Sequence, residues 1–344
     1  MRSMTLPTLT AAALALAACS TPEAPVAPNT ITATRAAAAP VLDGNANDAA
    51  WAGARALELK LEDGVNFAGN KGETTASLKA VVAGDTLYML IQYADPTMSM
   101  RRGPFQKQAD GSWKKLVDPA NKGGDDNVYY EDKWAVIWNI NMSDFGKKGC
   151  GATCHVGQGK PYGNKYATNP GEFGDIWHAK GARTVMPWGL VDDQYLDATR
   201  YDPQKEPNAG RKNEPGGPDY RNVNLVNGKP EFMNKDGRAA NAGGSFWIKD
   251  GDQVPFVDNF KPGDEVASYV VFPLKADRGE VRTAARWVNG MWTYEVARKL
   301  VTGSKFDVQF DDLNKTYNFG FAAFDNAQVR HAVNYEVLTL RFAR

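Results

Sequence analysis

Short strand-like segments separated by turn residues limit the folds open to this chain more than any other feature. Residues 76–82 (ASLKAVV) alternate between apolar and polar side chains, and Asp85-Thr86 separates them from the apolar run 87–93 (LYMLIQY). Alternation with period two is typical of a half-buried strand, and a short apolar run bounded by turns is typical of a strand buried on both faces. The pattern therefore predicts two successive β-strands joined by a turn.

The same pattern returns along the rest of the chain. Residues 134–140 (WAVIWNI) indicate another buried strand, and residues 282–287 and 292–300 flank Asn289-Gly290, a strong signal for a hairpin turn. Further strands are predicted at 265–272, 316–324 and 335–342. Strands joined by hairpins, without regular alternation of strand and helix, predict a mainly β protein with a β-sandwich architecture.

Composition places the folded part among ordinary globular proteins and argues against nucleic acid as a partner. Of the 344 residues, 43% are hydrophobic and 23% are charged, and 40 basic side chains balance 40 acidic ones. A protein that follows a phosphate backbone carries an excess of positive charge, which this chain lacks. Residues 191–262 are dense in Asn, Gly, Pro, Asp and Lys. We interpret them as a long insertion within one domain that spans residues 40–344.

The N-terminus has the pattern of a bacterial lipoprotein precursor. A short apolar run leads into LAAC at residues 16–19, which matches the cleavage site of a lipoprotein signal peptide. We expect residues 1–18 to be removed, Cys19 to carry lipid, and residues 19–39 to form a disordered tether rich in Pro, Ala and Thr. The residue after Cys19 is Ser20, which favours anchoring in the outer membrane, with the domain facing the periplasm or the exterior. The alternative is an ordinary cleavable signal in which Cys19 falls by chance.

The other two cysteines form the motif Cys150-x-x-x-Cys154-His155. Attachment of haem c requires two thiols that add to the vinyl groups and an imidazole that reaches the iron, usually with the spacing Cys-x-x-Cys-His. The motif here is one residue longer, and Gly149 and Gly151 give its backbone the freedom to accommodate that residue. It predicts one covalent haem with His155 as the proximal iron ligand. A disulfide between the two cysteines is the alternative, and a zinc site is a third interpretation.

A second axial ligand is predicted in the segment that follows. His178 lies 23 residues after His155 in the numbering, next to Trp177, and a histidine is a usual ligand in electron carriers. We take His178 as the candidate distal ligand and Trp177 as an aromatic neighbour of the haem. The remaining candidates are an open site or one of the following residues: Lys180, Met186, Lys299, Met98 and Met100.

Several short motifs occur in an order that resembles a known family. They are Tyr93-Ala94-Asp95-Pro96-Thr97, Glu131-Asp132-Lys133 with Ile137-Trp138, the Cys150–His155 run, Asp175-Ile176-Trp177-His178-Ala179-Lys180, Val191-Asp192-Asp193-Gln194-Tyr195, Gly290-Met291-Trp292 with Arg298-Lys299-Leu300, and Phe321-Ala322-Ala323-Phe324-Asp325-Asn326. In this order the chain resembles the haem-binding domain of ethylbenzene dehydrogenase-related proteins, also called the cytochrome c-552/dimethylsulfoxide reductase-like haem-binding domain. The resemblance covers nearly all of residues 40–344.

The resemblance implies a β-sandwich like that of carbohydrate-binding and DOMON domains, with haem at one end. The b-haem gamma subunits of this family hold iron with Met and Lys and pass electrons from a molybdenum enzyme. This chain instead offers Cys150, Cys154 and His155, so it resembles the c-type branch. By rough alignment, Lys299 is the residue that could replace the family's Lys.

We therefore expect an exported, lipid-anchored monohaem cytochrome that transfers single electrons to or from an unidentified redox partner and is not an enzyme in its own right. A b-type haem subunit and a haem-free β-sandwich that binds another ligand are alternatives. A third is a haem enzyme or sensor with an open sixth coordination site.

Overall fold

The computed structural model describes residues 27–121, 124–153 and 165–344. In chain order the strands are β1 (Thr30–Arg35), β2 (Leu57–Leu61), β3 (Thr74–Ala83), β4 (Thr86–Ala94), β5 (Phe105–Lys107), β6 (Trp113–Lys115), β7 (Lys133–Asn139), β8 (Gly174–Lys180), β9 (Asp192–Leu196), β10 (Arg211–Asn213), β11 (Tyr220–Asn222), β12 (Leu225–Val226), β13 (Lys229–Pro230), β14 (Phe232–Asn234), β15 (Ile248–Lys249), β16 (Gln253–Pro255), β17 (Glu265–Val266), β18 (Tyr269–Val271), β19 (Arg282–Val288), β20 (Met291–Lys299), β21 (Thr316–Phe324), β22 (Ala332–Val333) and β23 (Leu338–Phe342).

Helical structure is confined to short turns in the described part of the chain. There are two α-helical turns, α1 (Phe145–Lys148) and α2 (Met186–Trp188). Other short helical segments lie at Ala49–Trp51, Phe67–Lys71, Gly149–Thr153, Gly181–Val185, Ala240–Ala242 and Ala276–Gly279. No helix among the described residues is long and apolar enough to cross a membrane. The protein is mainly β, as the sequence predicts.

The longest path of paired strands runs β10-β9-β8-β7-β21-β23-β1-β3-β4-β20-β19, and it folds over to enclose the core. Strand β1 joins the two halves, because Thr30 to Ala33 pair in parallel with β23 while Thr34 and Arg35 pair in parallel with β3. One layer therefore contains β7, β8, β9, β21 and β23, and the other contains β3, β4, β19 and β20. This arrangement is the predicted β-sandwich.

The apolar side chains that the two layers share form the main core. Trp134, Val136 and Trp138 of β7 meet Tyr93 of β4 and Tyr294 of β20 in this cluster. The rings pack edge to face and in stacks, with 5.9 Å between the centroids of Trp134 and Tyr294 and between those of Tyr93 and Tyr294. Aromatic side chains thus contribute to the contact between the layers, and each ring buries a large apolar surface.

Strand β1 lies inside the range that the sequence predicts as a disordered tether. Ile31 and Ala33 face the core and are almost fully buried, and the threonines between them alternate outward. The pattern Thr-Ile-Thr-Ala-Thr is a strand pattern with β-branched residues, but the neighbouring prolines and alanines mask it in the sequence. The folded domain therefore includes residues 30–35, ahead of the predicted boundary at residue 40.

The predicted hairpin is present, with a turn of two residues. β19 and β20 pair over Arg282↔Ala297 to Val288↔Met291, and both turn residues have positive φ, 50° at Asn289 and 79° at Gly290. Asn-Gly is favoured here because both central residues of such a turn need a left-handed backbone.

The range 191–262 divides into two parts. β9 and β10 extend the main sheet at the edge of β8, whereas β11 to β16 form short separate sheets, one of which includes β18 between β11 and β15. Those later strands pack a second apolar cluster around Val223, Met233, Ile248 and Phe260, together with Phe105 from β5. The composition of this segment hides these short strands because few of their residues are apolar.

Candidate functional site

A cavity of about 470 Å³ opens beside strands β7, β8 and β21. Ala135 and Ile137 of β7 line it, and they alternate along the strand with the core residues Trp134, Val136 and Trp138. Successive side chains of a strand point to opposite faces, so the cavity lies on the face of this layer opposite the aromatic core. Its volume falls within the range typical of pockets for small molecules and cofactors.

Small residues make up the part of the cavity wall that β21 contributes. Gly320 and Ala322 line it, and a Cβ atom added at Gly320 would lie 3.0 Å from Cβ of Cys150 and 3.3 Å from Cγ2 of Ile137. A larger residue at position 320 would therefore press on the Cys150 turn. The absence of a side chain there lets the cysteine pack directly on β21.

His178 presents its imidazole to this cavity from β8. Its side chain is 3% exposed, and its Nε2 atom has no hydrogen-bond partner among the described residues. Burial, and then the positive charges of Arg211 and Lys180, lower the pKa of His178 well below its usual value of 6.5. The ring is therefore neutral at physiological pH, which is the form that ligates metals.

The other ring nitrogen of His178 is held by two neighbours. Nδ1 lies 3.2 Å from Oε1 of Gln194 and 3.0 Å from Nη1 of Arg211. The guanidinium of Arg211 can only donate, and its contact with Nδ1 therefore favours the tautomer with the proton on Nε2. The amide oxygen of Gln194 can only accept, and its contact favours the tautomer with the proton on Nδ1, which leaves a lone pair on Nε2. Ligation of a metal through Nε2 requires the second arrangement, in which Gln194 orients the ring.

Trp177 lies on the other face of β8 from His178. Its ring is buried in the main core, with its centroid 5.3 Å from that of Trp138 and 5.8 Å from the guanidinium carbon of Arg298. It does not line the cavity. The structure thus brings His178 to the candidate site but places the neighbouring tryptophan in the core, as strand alternation requires.

Cys150 lines the same cavity as His178. It lies in the turn Gly149–Thr153, where the hydroxyl of Thr153 donates to the carbonyl oxygen of Cys150 over 3.1 Å. Gly149 opens this turn with a φ of 54°, a left-handed conformation that a glycine adopts without strain. Cys154 and His155 lie outside the described residues, and so does Cys19.

The reserve iron ligands lie away from the cavity. Lys180 Nζ forms ion pairs with Asp192 and, over 2.8 Å, with Asp219. Met186 is 39% exposed in α2, and Lys299 is exposed at the end of β20, where its Nζ lies 3.8 Å from Asp85. None of these three side chains lines the cavity. Of the remaining methionines, Met98 is exposed, and Met100 is buried in the core.

His331 lines the cavity, and the sequence gives little reason to place it there. Its Nδ1 lies 2.9 Å from the carbonyl oxygen of Val329, which can only accept, so in the neutral ring the proton is on Nδ1 and Nε2 is the acceptor. The rings of His331 and His178 both lie near Phe324, at 5.0 Å and 6.0 Å between centroids. The two histidines are 153 positions apart in the numbering, and only the pairing of β22 with β21 brings them together.

Positive charge is concentrated on the cavity wall. Five basic residues line it, and no Asp or Glu is present among its described lining residues. The five are Arg102, Lys133, Lys165, Arg183 and Arg211. Sequence reasoning missed this cluster because the formal net charge of the chain is zero and the five residues are spread over more than a hundred positions.

Two of these basic side chains are buried and fixed. Arg183 Nε pairs with Oε1 of Glu131 over 2.5 Å, and its Nη1 lies 3.2 Å from Oδ2 of Asp219. Lys133 Nζ donates to the carbonyl oxygen of Gln328 over 2.7 Å and lies over the ring of Phe324. Burial, and then the charge of Arg183, lower the pKa of Lys133 well below its usual value. An anion in the cavity would offset this repulsion.

The ethylbenzene dehydrogenase family model matches residues 48–336 of this sequence. The chain belongs to the ethylbenzene dehydrogenase family. The match covers most of the described β-sandwich, including Cys150, His178 and His331, so the cavity lies within the part that defines the family. Membership associates the protein with oxidoreductases.

The solved structures that resemble this chain are only distantly similar to it in sequence. A carbohydrate-binding module of family 9 from Caldicellulosiruptor kristjanssonii, in complex with glucose, is similar with 9% identity and a TM-score of 0.34, over 91% of this chain and 94% of that one. A proposed carbohydrate-binding protein from Bacteroides uniformis has 10% identity and a TM-score of 0.36, over 91% of this chain and 99% of that one. Likeness at this level carries no conclusion about what this family member binds. No curated protein sequence matches the chain.

Proposed function

We propose that this protein binds one haem in the cavity beside β7, β8 and β21 and transfers single electrons to or from a partner oxidoreductase. The observation that supports this most is the imidazole of His178. It is buried, neutral and turned to the cavity, and its Nε2 atom has no hydrogen-bond partner among the described residues. A buried polar atom without a partner costs about 1–3 kcal/mol, which a bond to iron would recover.

The residues of the cavity fit such a group in three ways. His178 would supply an axial ligand through Nε2, with Gln194 accepting the Nδ1 proton and so fixing the orientation of the ring. Gly320 has no side chain and so lets Cys150 pack against β21 at the cavity wall. The basic residues of the wall would pair with the carboxylate groups of the porphyrin. The bound haem would supply the one-electron redox chemistry.

Covalent attachment is the form of binding that we propose. Cys150 lines the cavity, and Cys154 and His155 follow it within five positions, so the motif begins where the haem would lie. Cys150 and Cys154 would form the thioether bonds, and His155 and His178 would ligate the iron. The alternative is haem b held without thioether bonds in the same cavity.

We also propose that the protein works in the bacterial cell envelope. The LAAC sequence at residues 16–19 supports lipidation at Cys19 and anchoring in the outer membrane, with the domain facing the periplasm or the exterior. In that position the protein would act as an electron carrier or as a subunit of an oxidoreductase, and the partner protein would perform the catalysis.

A pyridine haemochrome spectrum, recorded before and after extraction with acidified acetone, tests the proposal. The full chain is produced together with a cytochrome c maturation system. Haem that stays with the polypeptide and gives the α-band of a thioether-linked porphyrin supports haem c, and the Cys150→Ala variant should then lose part of that retention. Haem that moves into the acetone supports haem b, and a colourless protein contradicts the proposal.

A second candidate function follows from the charge of the cavity. Five basic residues without a carboxylate among the described lining residues would bind a small anionic ligand in a β-sandwich without haem. This function predicts a colourless protein whose affinity for a dicarboxylate falls at least tenfold in Arg211→Gln, measured by calorimetric titration. Red protein with haem bound in the cavity would exclude it.

A further inference from the structure

Four carboxylates meet on the core side of β8 and β9, on the opposite face of the sheet from His178. Asp175 lies in β8, Asp193 in β9, Glu214 directly after β10, and Asp307 in the segment between β20 and β21. One oxygen from each of the three aspartates lies within 4.8 Å of the others. All four residues are at most 3% exposed.

Within the described part of the chain, three of the eight carboxylate oxygens in this cluster accept a hydrogen bond from the protein, and the other five do not. Both carboxylate oxygens of Asp193 have no hydrogen-bond partner among the described residues, and the same is true of Asp175 Oδ1, Asp307 Oδ1 and Glu214 Oε1. Buried polar atoms in proteins nearly always have a partner, so five such atoms in one place require an explanation. Either protons shared among the carboxylates or a bound cation must therefore satisfy these oxygens.

The charge of the cluster leads to the same conclusion. Arg298 is the basic residue that pairs with it, and its Nη2 lies 3.1 Å from Oδ2 of Asp307 and 3.9 Å from Oδ2 of Asp175. One guanidinium leaves four ionised carboxylates with an excess of three negative charges in the interior. Burying that excess negative charge costs too much free energy, so the carboxylates must either take up protons or bind a cation.

We propose that Asp175, Asp193, Asp307 and Glu214 bind a calcium ion. A ligand set made only of carboxylate oxygens suits a hard cation such as calcium or magnesium rather than zinc or copper. Calcium binds oxygens at about 2.3–2.6 Å, so two oxygens on opposite sides of the ion are about 5 Å apart. The aspartate oxygens lie within 4.8 Å of one another, close enough to share one ion. Magnesium usually keeps several water ligands and binds through one or two carboxylates, so it suits a buried all-protein cluster less well than calcium does.

A second group of buried aspartates in the same fold serves as a contrast. Asp95, Asp132 and Asp325 also lie within 4.8 Å of one another. However, the oxygens of Asp132 accept hydrogen bonds from the backbone N–H groups of Ser99 and Asn326, and from the indole of Trp292. In this group only Asp95 Oδ2 is a buried oxygen without a hydrogen-bond partner among the described residues, against five such oxygens in the first cluster, so it serves as the negative control.

The bound ion would tie together distant parts of the chain. It would connect β8 and β9 of one layer to the segment after β20, which belongs to the other layer, and to the start of the segment that follows β10. Asp175 is three positions from His178 in the same strand, so calcium would also rigidify the strand that carries the proposed haem ligand. The calcium site does not depend on haem, because its ligands lie on the opposite face of the sheet.

Equilibrium dialysis of the full chain against calcium, after treatment with a chelator and desalting, tests the proposal directly. We expect one calcium ion per chain at millimolar free calcium and an unfolding midpoint that rises with the logarithm of calcium concentration. Terbium should occupy the same site and emit when tryptophan is excited, because Trp177 lies directly opposite Asp193 on β8 and packs over Arg298. Calcium should then displace the terbium signal.

Variants distinguish this site from general ion binding. Asp193→Asn should abolish the bound calcium and the terbium emission, and Glu214→Gln should weaken calcium binding at least tenfold if the first variant does not fold. Asp95→Asn in the contrasting group should bind calcium like the unmodified chain. If the unmodified chain binds no calcium and its unfolding midpoint is unchanged by calcium, the carboxylates share protons instead and the proposal is overturned. Haem content read from the same samples reports separately on the proposed haem function.

Discussion

Trp177 and His178 are neighbours in β8 and serve opposite sides of the sheet. The Trp177 ring packs against Trp138 in the core with 5.3 Å between centroids, whereas the His178 ring faces the cavity and lies 6.0 Å from that of Phe324. The strand therefore exposes one of two adjacent candidate residues to a ligand and uses the other for stability. Replacing each in turn separates these roles.

We expect His178→Ala to change the optical spectrum of the haem-loaded protein. Loss of the axial imidazole should convert a low-spin spectrum to a high-spin one and allow carbon monoxide to bind the reduced protein at neutral pH. The unfolding midpoint of the haem-free chain should change little, because there the variant also removes a buried nitrogen without a partner among the described residues. Absorption spectra with and without carbon monoxide are the measurement.

Trp177→Phe is the matched control for that variant. It should keep the low-spin spectrum and lower the free energy of unfolding by about 1–3 kcal/mol, because it removes part of a buried ring from the core. A low-spin spectrum that persists in His178→Ala would rule out His178 as the distal ligand. His331, which lines the same cavity, would then be the next residue to replace.

Gly320→Ala should reduce the amount of haem bound without unfolding the domain. The added Cβ would lie 3.0 Å from Cβ of Cys150, so the cysteine turn must shift away from β21. We expect a destabilisation of about 1–3 kcal/mol, typical of overpacking, and a haem content at most half that of the unmodified chain. Gly53→Ala is the control, because no atom lies within 4 Å of its added Cβ. Equal haem content in the two variants would show that haem binding does not depend on the packing of Cys150 against Gly320.

The sequence predicts the strands of the sandwich well and the composition of the site only in part. Period-two patterns and the Asn289-Gly290 turn depend on local chemistry, so β3, β4, β7, β19, β20 and β21 appear close to their predicted bounds. Cys150 and His178 line one cavity, and their nearness in the chain favours such a shared site. The positions of Arg183, Arg211 and His331 could not be predicted, because they depend on which strands pair across the sheet.

The local sequence pattern does not predict strand β1, and truncation of the chain tests how much this strand stabilises the domain. A chain that begins at residue 28 should unfold like the longer one, whereas a chain that begins at residue 40 should be destabilised by about 3 kcal/mol or more. The shorter chain loses the buried side chains of Ile31 and Ala33 and leaves the edges of β3 and β23 unpaired. Chemical denaturation of both chains is the measurement. Equal stability of the two chains would mean that residues 30–35 belong to the tether and not to the folded domain.

The carboxylate of Glu172 links the two ends of the segment that carries Cys150. Glu172 Oε1 accepts from the backbone N–H and the hydroxyl of Ser143, at 3.0 Å and 2.7 Å, and from the amide of Asn169. Its Oε2 accepts from the backbone N–H of Asn169 over 3.0 Å. Burial acts to raise the pKa of Glu172, but these donors outweigh it and lower the pKa to about 2. The ionised form therefore holds together the two ends of the segment between Ser143 and Asn169.

This shift gives stability a defined dependence on pH. Because the pKa of Glu172 is lower in the folded state, its contribution is complete above its ordinary value of 4.5 and is lost as the pH falls to about 2. Glu172→Gln should cost about 1.5–3 kcal/mol at neutral pH, the usual worth of hydrogen bonds to a charged group. The difference in unfolding free energy between the variant and the unmodified chain should shrink steadily between pH 5 and pH 2. A difference that stays constant over that range would mean that the donors do not select the ionised carboxylate.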